Sequence, residues 1–339
     1  MTVPAADGGA VAAVVRCVGH TGAVIAEHAL SWTPRHPTDL HQTIGSLRRG
    51  PGDPTFRLDG GGAVWRTTRT SEGVATLRYT QPAVDELRCE GWGPGAAAGV
   101  ASAPDLLGER DDPSGFQPRI RLLDDAHRRN PGLRIPRTGR VFEALVPAIL
   151  EQKVITLQAH DSWRKLVRRF GEPAPGPTPR PMMVVPEPLR WASIPVWEWH
   201  TAGVDPRRAR TIVNAARYAA RLDEAKDMSP ADAAARLTLL PGIGVWTAAE
   251  VAQRALGDAD ALSVGDYHLS NYVGHALWGR DSGSSRRRAC ADVRGAGRGC
   301  RSWITARSDP RTAHARRRAG ALSTWRRGPS PSGPRTLRR

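Results

Sequence analysis

The stretch that most constrains this chain runs Leu237-Thr238-Leu239-Leu240-Pro241-Gly242-Ile243-Gly244-Val245-Trp246-Thr247-Ala248. Just upstream, Ser229-Pro230 supplies an N-cap and an N1 proline for a helix predicted to reach about Leu239. Pro241 and Gly242 stop that helix, and a second one is expected from about Val245. Both Gly242 and Gly244 can take φ > 0, and neither puts a Cβ between the backbone and an approaching group. The N–H groups of the turn and of the new helix start then face outward and suit a phosphate. Taken alone, the Pro-Gly pair fits an ordinary pair of helices joined by a short turn better.

The following segment adds chemistry. Ala261-Leu262-Ser263-Val264-Gly265-Asp266-Tyr267-His268-Leu269 places Asp266 22 residues beyond Gly244, where a third helix should begin. As an N-cap, Asp266 satisfies open backbone N–H groups. The same position lets the helix dipole stabilise a negative charge, and a catalyst that must stabilise a sugar cation needs such a carboxylate.

These two motifs together resemble the helix-hairpin-helix superfamily of DNA glycosylases, nearest to the DNA-3-methyladenine glycosylase II type, with a looser likeness over about residues 1 to 280. The resemblance implies an α+β fold: an N-terminal antiparallel-sheet domain (1–115), an all-α helix-hairpin-helix domain (116–280), and a basic tail (281–339) outside the family pattern. It implies base excision from double-stranded DNA with damaged, alkylated bases. Asp266 would stabilise the oxocarbenium-like state, and Trp246, Glu250 and Tyr267 would line the base pocket. The backbone would be gripped at Gly242, Gly244 and Thr247, with Gln152 and Lys153 on the loop that fills the gap left by a flipped base. A monovalent cation (Na+ or K+) would sit on the carbonyls of Thr238, Leu240 and Ile243, and no other cofactor is implied.

Two departures matter. In relatives that also cut the strand, a lysine occupies the Trp246 position; this chain has lysine only at 153, 165 and 226. The resemblance therefore implies a monofunctional glycosylase that uses water. One turn after Trp246, where the resembled enzyme carries a further pocket aromatic, stands Glu250, and an acid there can hydrogen-bond a base edge. The residues alone leave Trp246 open between a stacking platform, worth roughly 1–3 kcal/mol per base, and a side chain of the hairpin core. A non-catalytic helix-hairpin-helix DNA-binding protein that has lost turnover is the alternative function.

Charge is less informative than it first looks. Of the net +16, residues 281–339 carry +13, from sixteen arginines and three aspartates, which leaves +3 for the first 280 residues. The body is nearly balanced, so bulk charge says little about its partner. Cys17, Cys89, Cys290 and Cys300 are scattered without a CxxC, which argues against a disulfide framework, a zinc site or an iron–sulfur cluster. No apolar run is long enough for a membrane span, and the N-terminus lacks a signal-peptide pattern. A cytoplasmic monomer that meets no membrane is expected.

In chain order, strands are expected at Val11–Val18 and Ala23–Ala29, a helix over Asp39–Leu47, and a meander at Thr55–Leu58, Ala63–Thr68 and Val74–Tyr79 with one wet face. Residues 103–115 read as a loop-rich junction. Helices follow at Gly139–Ile155, breaking near Gln152-Lys153, and at Leu157–Phe170. Glu172–Pro188 reads as an extended surface crossing. Trp197 and Trp199 read as core. Asp205-Pro206 opens a helix to about Leu222, whose first-turn Arg207, Arg208 and Arg210 oppose the dipole and would meet either phosphate or solvent.

Helical periodicity ends at Gly279-Arg280, and the Arg, Ser, Gly and Ala that follow have no amphipathic segment, so the tail is expected to be disordered. We read it as the product of a shifted reading frame in preference to an unrelated extension. Translating the other two frames of the gene beyond codon 280 should reveal an amphipathic helix in one of them. Neither frame offering one, together with efficient excision by the chain as written, would contradict this reading.

Overall fold

The computed structural model describes residues 26–118, 121–267 and 269. The expected strand at Val11–Val18, the course of the chain beyond Leu269 and the 281–339 tail lie outside them.

Five antiparallel strands form one sheet: β1 (His28–Trp32), β2 (Phe56–Leu58), β3 (Val64–Thr70), β4 (Gly73–Ala83) and β5 (Glu86–Trp92), in the order β1-β5-β4-β3-β2. The strand expected at Ala23–Ala29 lies instead at His28–Trp32, where it pairs with β5, a strand the sequence reading missed. Between β1 and β2, Asp39 accepts the Gln42 N–H and caps α1 (Leu40–Ile44), which runs on as a 3-10 turn over Gly45–Leu47. After β5 come α2 (Ala96–Ala101) and α3 (Ala103–Leu106), so the predicted junction is partly helical.

The expectation of one wet face does not hold. Alternate residues of β3 point to opposite faces, yet Val64, Trp65, Arg66, Thr67 and Thr68 are all buried. One face packs Val64, Leu77, Tyr79 and Cys89 against Leu40, Ile44, Val100 and Leu106. The other stacks Trp65 on Trp92 at 5.5 Å and packs them with Met182. Burial pushes the Cys89 thiol well above its ordinary range, which leaves it inert.

The helices continue with α4 (Arg121–Arg129), α5 (Val141–Leu150) and α6 (Thr156–Phe170). A short β6–β7 ribbon (Glu172–Pro173 with Met183–Val184) follows, so the Glu172–Pro188 crossing is partly structured and buries Met182, Val184 and Val185. Then come α7 (Pro188–Ala192), α8 (Val196–Thr201), α9 (Pro206–Arg217), α10 (Ala219–Asp223), α11 (Pro230–Thr238) and α12 (Val245–Val251). A π-helical turn over Ala252–Leu256 extends α12 and ends at Gly257 in the left-handed region. Asp205 accepts the N–H groups of Arg207 and Arg208, and Ser229 accepts that of Asp232, so both predicted caps are in place.

The hub is α5, apolar on every side and buried at every residue except Glu143. Around it pack α6, α9, α10 and α12. Glu143 faces the sheet and takes hydrogen bonds from Arg66, Thr68 and the Arg69 N–H, which fixes α5 against β3. Further on, the buried carboxylate of Asp53 accepts from Arg49 N, Thr55 N and the Trp163 indole of α6.

Glu151 ends α5 and pairs with Arg49 at 3.1 Å, with His160 at 3.7 Å. Burial acts to raise its carboxyl pKa, but Arg49, the His160 hydrogen bond and Arg254 outweigh it and hold the group down to about 2. A carboxylate whose pKa falls on folding stabilises the fold above its unfolded value near 4.5 and stops doing so as pH drops through its folded value. Denaturant melts should therefore show on the order of 3 kcal/mol of stability disappearing between about pH 5 and pH 2 from this group. Glu151→Gln should be less stable at pH 7 and flatter across that range. A variant with the parental acid slope would show that Glu151 is not the group responsible.

Candidate nucleic-acid interface and active site

The hairpin joins α11 to α12. Leu240 O accepts the Ile243 N–H at 3.0 Å, Ile243 is buried, and Gly244 O accepts the Ala248 N–H to open α12. Gly242 takes φ +93°, and a Cβ built on it would lie 2.3 Å from Thr211 Oγ1 of α9. The absence of a side chain at 242 is thus a packing requirement as well as a conformational one. Gly244 departs from the expectation of a left-handed residue: its φ is −104°, and an added Cβ would meet nothing within 4 Å. No contact within the protein requires residue 244 to lack a side chain.

Gln152 is placed differently from the sequence expectation. Its amide Nε2 donates to Gly242 O and to Thr247 Oγ1, each at 2.9 Å. It is therefore a strut that fastens the α5–α6 turn to the hairpin, and its amide is not free to fill a gap in DNA. Thr247 is buried and serves as the other end of that strut, so its hydroxyl faces the protein interior. Lys153 remains on the surface at φ +55°, the one non-glycine residue with positive φ among those described. Beside it, Ile155 and Leu157 expose 69% and 76% of their surface, an apolar tip on the same turn that the sequence reading missed. Apolar residues at 155 and 157 straight after a helix break were the available signal.

Asp266 is held at both oxygens. Trp246 Nε1 donates to Oδ2 at 3.1 Å and the Leu269 N–H donates to Oδ1 at 2.8 Å, the spacing of an N-cap. Gly265, at φ +90°, turns the chain immediately before it. Trp246 and Asp266 are both half-buried, and Tyr267 is exposed. The structure thus brings Trp246, on the helix that starts at the hairpin, together with Asp266, on the turn after it.

Glu250 is not available to a base edge. It is buried, and its two oxygens are taken by Arg254, at 2.7 Å, and by the Ser263 hydroxyl. Arg208 is likewise turned inward, where it donates to Leu150 O and pairs with Asp205, so of the three first-turn arginines of α9 only Arg207 and Arg210 are exposed. Of the tryptophan pair, Trp199 is core and Trp197 is 69% exposed. Thr238, expected to offer a carbonyl to a cation, lies at the exposed C-terminal end of α11, and Leu240 follows two residues later.

The sheet and helical body share their fold with solved structures of DNA glycosylases. Comparison with solved structures shows the likeness. The 3-methyladenine DNA-glycosylase from Archaeoglobus fulgidus superposes with a TM-score of 0.66 over 81% of this chain and 96% of that one, at 20% identity. The Clostridium acetobutylicum 8-oxoguanine glycosylase/lyase in its apo form gives a TM-score of 0.61 over 82% and 94%, at 12% identity. In sequence, the chain is 36% identical over 143 residues to the probable bifunctional transcriptional activator/DNA repair enzyme AlkA of Mycobacterium tuberculosis. That match covers 41% of this chain and 28% of the longer protein. No family model matches the chain. No helix among the described residues is long and apolar enough to cross a membrane.

The two hairpin glycines should separate by experiment. Gly242→Ala should lower stability by about 1–3 kcal/mol, from strain at positive φ and collision with Thr211. Gly244→Ala should leave the thermal midpoint nearly unchanged and weaken binding to all duplexes alike. Equal destabilisation by both would contradict the geometry described for residue 244.

Proposed function

We propose that this chain is a monofunctional DNA glycosylase that flips an alkylated base out of duplex DNA and hydrolyses its N-glycosidic bond. The observation that carries the reading is Asp266 bonded to Trp246 on the helix that leaves the hairpin. Grip and chemistry are then joined through one hydrogen bond to that helix.

A base inside a duplex cannot be reached, so the nucleotide must first leave the stack. The open N–H groups at the start of α12 bind a backbone phosphate, which positions the DNA without reading sequence. Lys153 and the apolar Ile155 and Leu157 occupy the vacated space in the duplex. Apolar wedges between bases offset part of the cost of unstacking. The carbonyls of Thr238, Leu240 and Ile243 suit a sodium or potassium ion, since neutral oxygens at the negative end of α11 are hard donors. A bound ion would add positive charge beside the phosphate.

Trp246 spends its N–H edge on Asp266, which leaves the indole face for an extruded base. An alkylated purine carries positive charge and stacks well against the ring quadrupole. As the bond breaks, its electron pair leaves with the base and the sugar gains oxocarbenium character. The Asp266 carboxylate stabilises that cation and orients water toward the anomeric carbon. Water then supplies the new C–O bond and gives up a proton. No amine stands at the Trp246 position, so the product is an intact strand with an abasic site. With Glu250 engaged inside the protein, selection among lesions falls to ring stacking and pocket shape.

Single-turnover release of a methylated purine from a duplex tests this. Asp266→Asn should bind duplex DNA like the parent and release base about 100-fold or more slowly, the cost of losing one electrostatic stabiliser. The strand should break only after added alkali. Parental turnover in Asp266→Asn, or a covalent adduct trapped by borohydride, would contradict the proposal.

A further inference from the structure

One buried group near the site has no part in the mechanism above. Glu250 lies four residues after Trp246, so the two side chains stack on one face of α12, about 6 Å apart along its axis. Trp246 Nε1 reaches Asp266, and Glu250 Oε1 accepts the Ser263 hydroxyl. The 263–266 turn is thus held twice by the same helix face. Ser263 is 3% exposed and makes three of these contacts. Its hydroxyl donates to Glu250 and accepts from Gln253 Nε2 at 3.1 Å, while its carbonyl accepts the Asp266 N–H, also at 3.1 Å. Gln253 Nε2 holds Ala261 O as well, at 2.8 Å. Arg254 keeps Glu250 in place through Oε2 and the Glu250 carbonyl. The π-helical turn over Ala252–Leu256 carries Gln253 and Arg254 in these positions.

From this geometry we infer that Glu250, acting through Ser263, is a positioning residue for Asp266. The acid that stands where the resembled glycosylase carries a pocket aromatic does not touch a base. It fixes the turn that aims the carboxylate at the sugar. Asp266 moves as the end of a two-point clamp, so a loss at the Ser263 point should loosen it even with the Trp246 bond intact. Geometric tolerance in such sites is small, and an error near 1 Å can cost about 100-fold in rate. The kinetic part of this inference rests on the role proposed for Asp266; the structural part stands without it.

The test uses the full chain and two substitutions that rank oppositely. Ser263→Ala leaves one buried Glu250 oxygen without its partner but keeps the Glu250–Arg254 pair, so it should lose some stability but less than Glu250→Gln. Glu250→Gln keeps a hydrogen bond to Ser263 whichever way its amide lies, but takes the charge partner from buried Arg254, so it should be the less stable protein. Hydrogen exchange at the Asp266 amide should quicken about tenfold in Ser263→Ala, as expected for one lost hydrogen bond, and by less in Glu250→Gln. Base release should slow about tenfold in Ser263→Ala with duplex affinity unchanged, and Ser263→Thr should recover most of the rate. Ser193→Ala, a surface hydroxyl bonded to Arg190 O, is the control. Exchange and release that follow stability, worse in Glu250→Gln than in Ser263→Ala, would overturn the inference. So would parental exchange in Ser263→Ala. A parent that releases no base would count against the proposed function, while the exchange measurement would still decide the clamp.

Discussion

The indole N–H of Trp246 reaching Asp266 ties together two segments twenty residues apart, and the candidate site depends on it. The bond has its effect only because α12 is itself fixed. Its start is set by Gly242, which must sit bare against Thr211, and by the Gln152 strut running from the end of α5. Its far end is set by Glu250 and Arg254. A helix fixed at both ends can present backbone N–H groups to a phosphate and a carboxylate to a sugar in constant relation. Catalysis by preorganised charge requires that constancy.

The buried charges around this helix stabilise less than their number suggests. Arg49, Glu151, Glu250 and Arg254 are each largely withdrawn from water, and the cost of desolvation offsets part of the attraction within each pair. Their effect lies in specificity of placement. Arg49 belongs to the segment between β1 and β2, Glu151 to the end of α5 and Arg254 to the end of α12, so the sheet side of the molecule reaches the candidate site through them. The N-terminal sheet then acts on the site by holding the α5–α6 turn beside the hairpin, although none of its side chains is placed to touch DNA in this account.

Backbone-determined features were legible in the sequence. Ser229-Pro230, Asp205-Pro206 and Asp39 announce helix starts through local chemistry, and each caps the helix expected of it. Pro241-Gly242 marks the hairpin, and the spacing to Asp266 marks the aspartate cap. Side-chain direction was not legible where the partner is distant in sequence. Gln152 bonds a residue 90 positions away and Arg208 one 58 positions away, and a polar residue at a helix end or first turn reads the same from sequence whether it faces water or protein. Glu250 was assigned to the pocket by the resemblance, and its partner Ser263, beyond a loop, could not be read from sequence. Strand β5 was legible but overlooked, since Glu86, Arg88 and Glu90 alternate with Leu87, Cys89 and Gly91 in the period-two pattern of a strand, whereas burial of both faces of β3 depends on elements that arrive later in the chain, Met182 among them.

The claim most exposed to test is that DNA meets the hairpin and the α5–α6 turn, and not merely the basic residues of 281–339. Amide exchange across the whole chain, with and without a duplex bearing an abasic-site analogue, measures this at peptide resolution. The account predicts slowed exchange over residues 241–247, 152–157 and 263–267 at an ionic strength where non-specific contacts are weakened. Protection confined to 281–339, with those three segments exchanging as in the free protein, would contradict it.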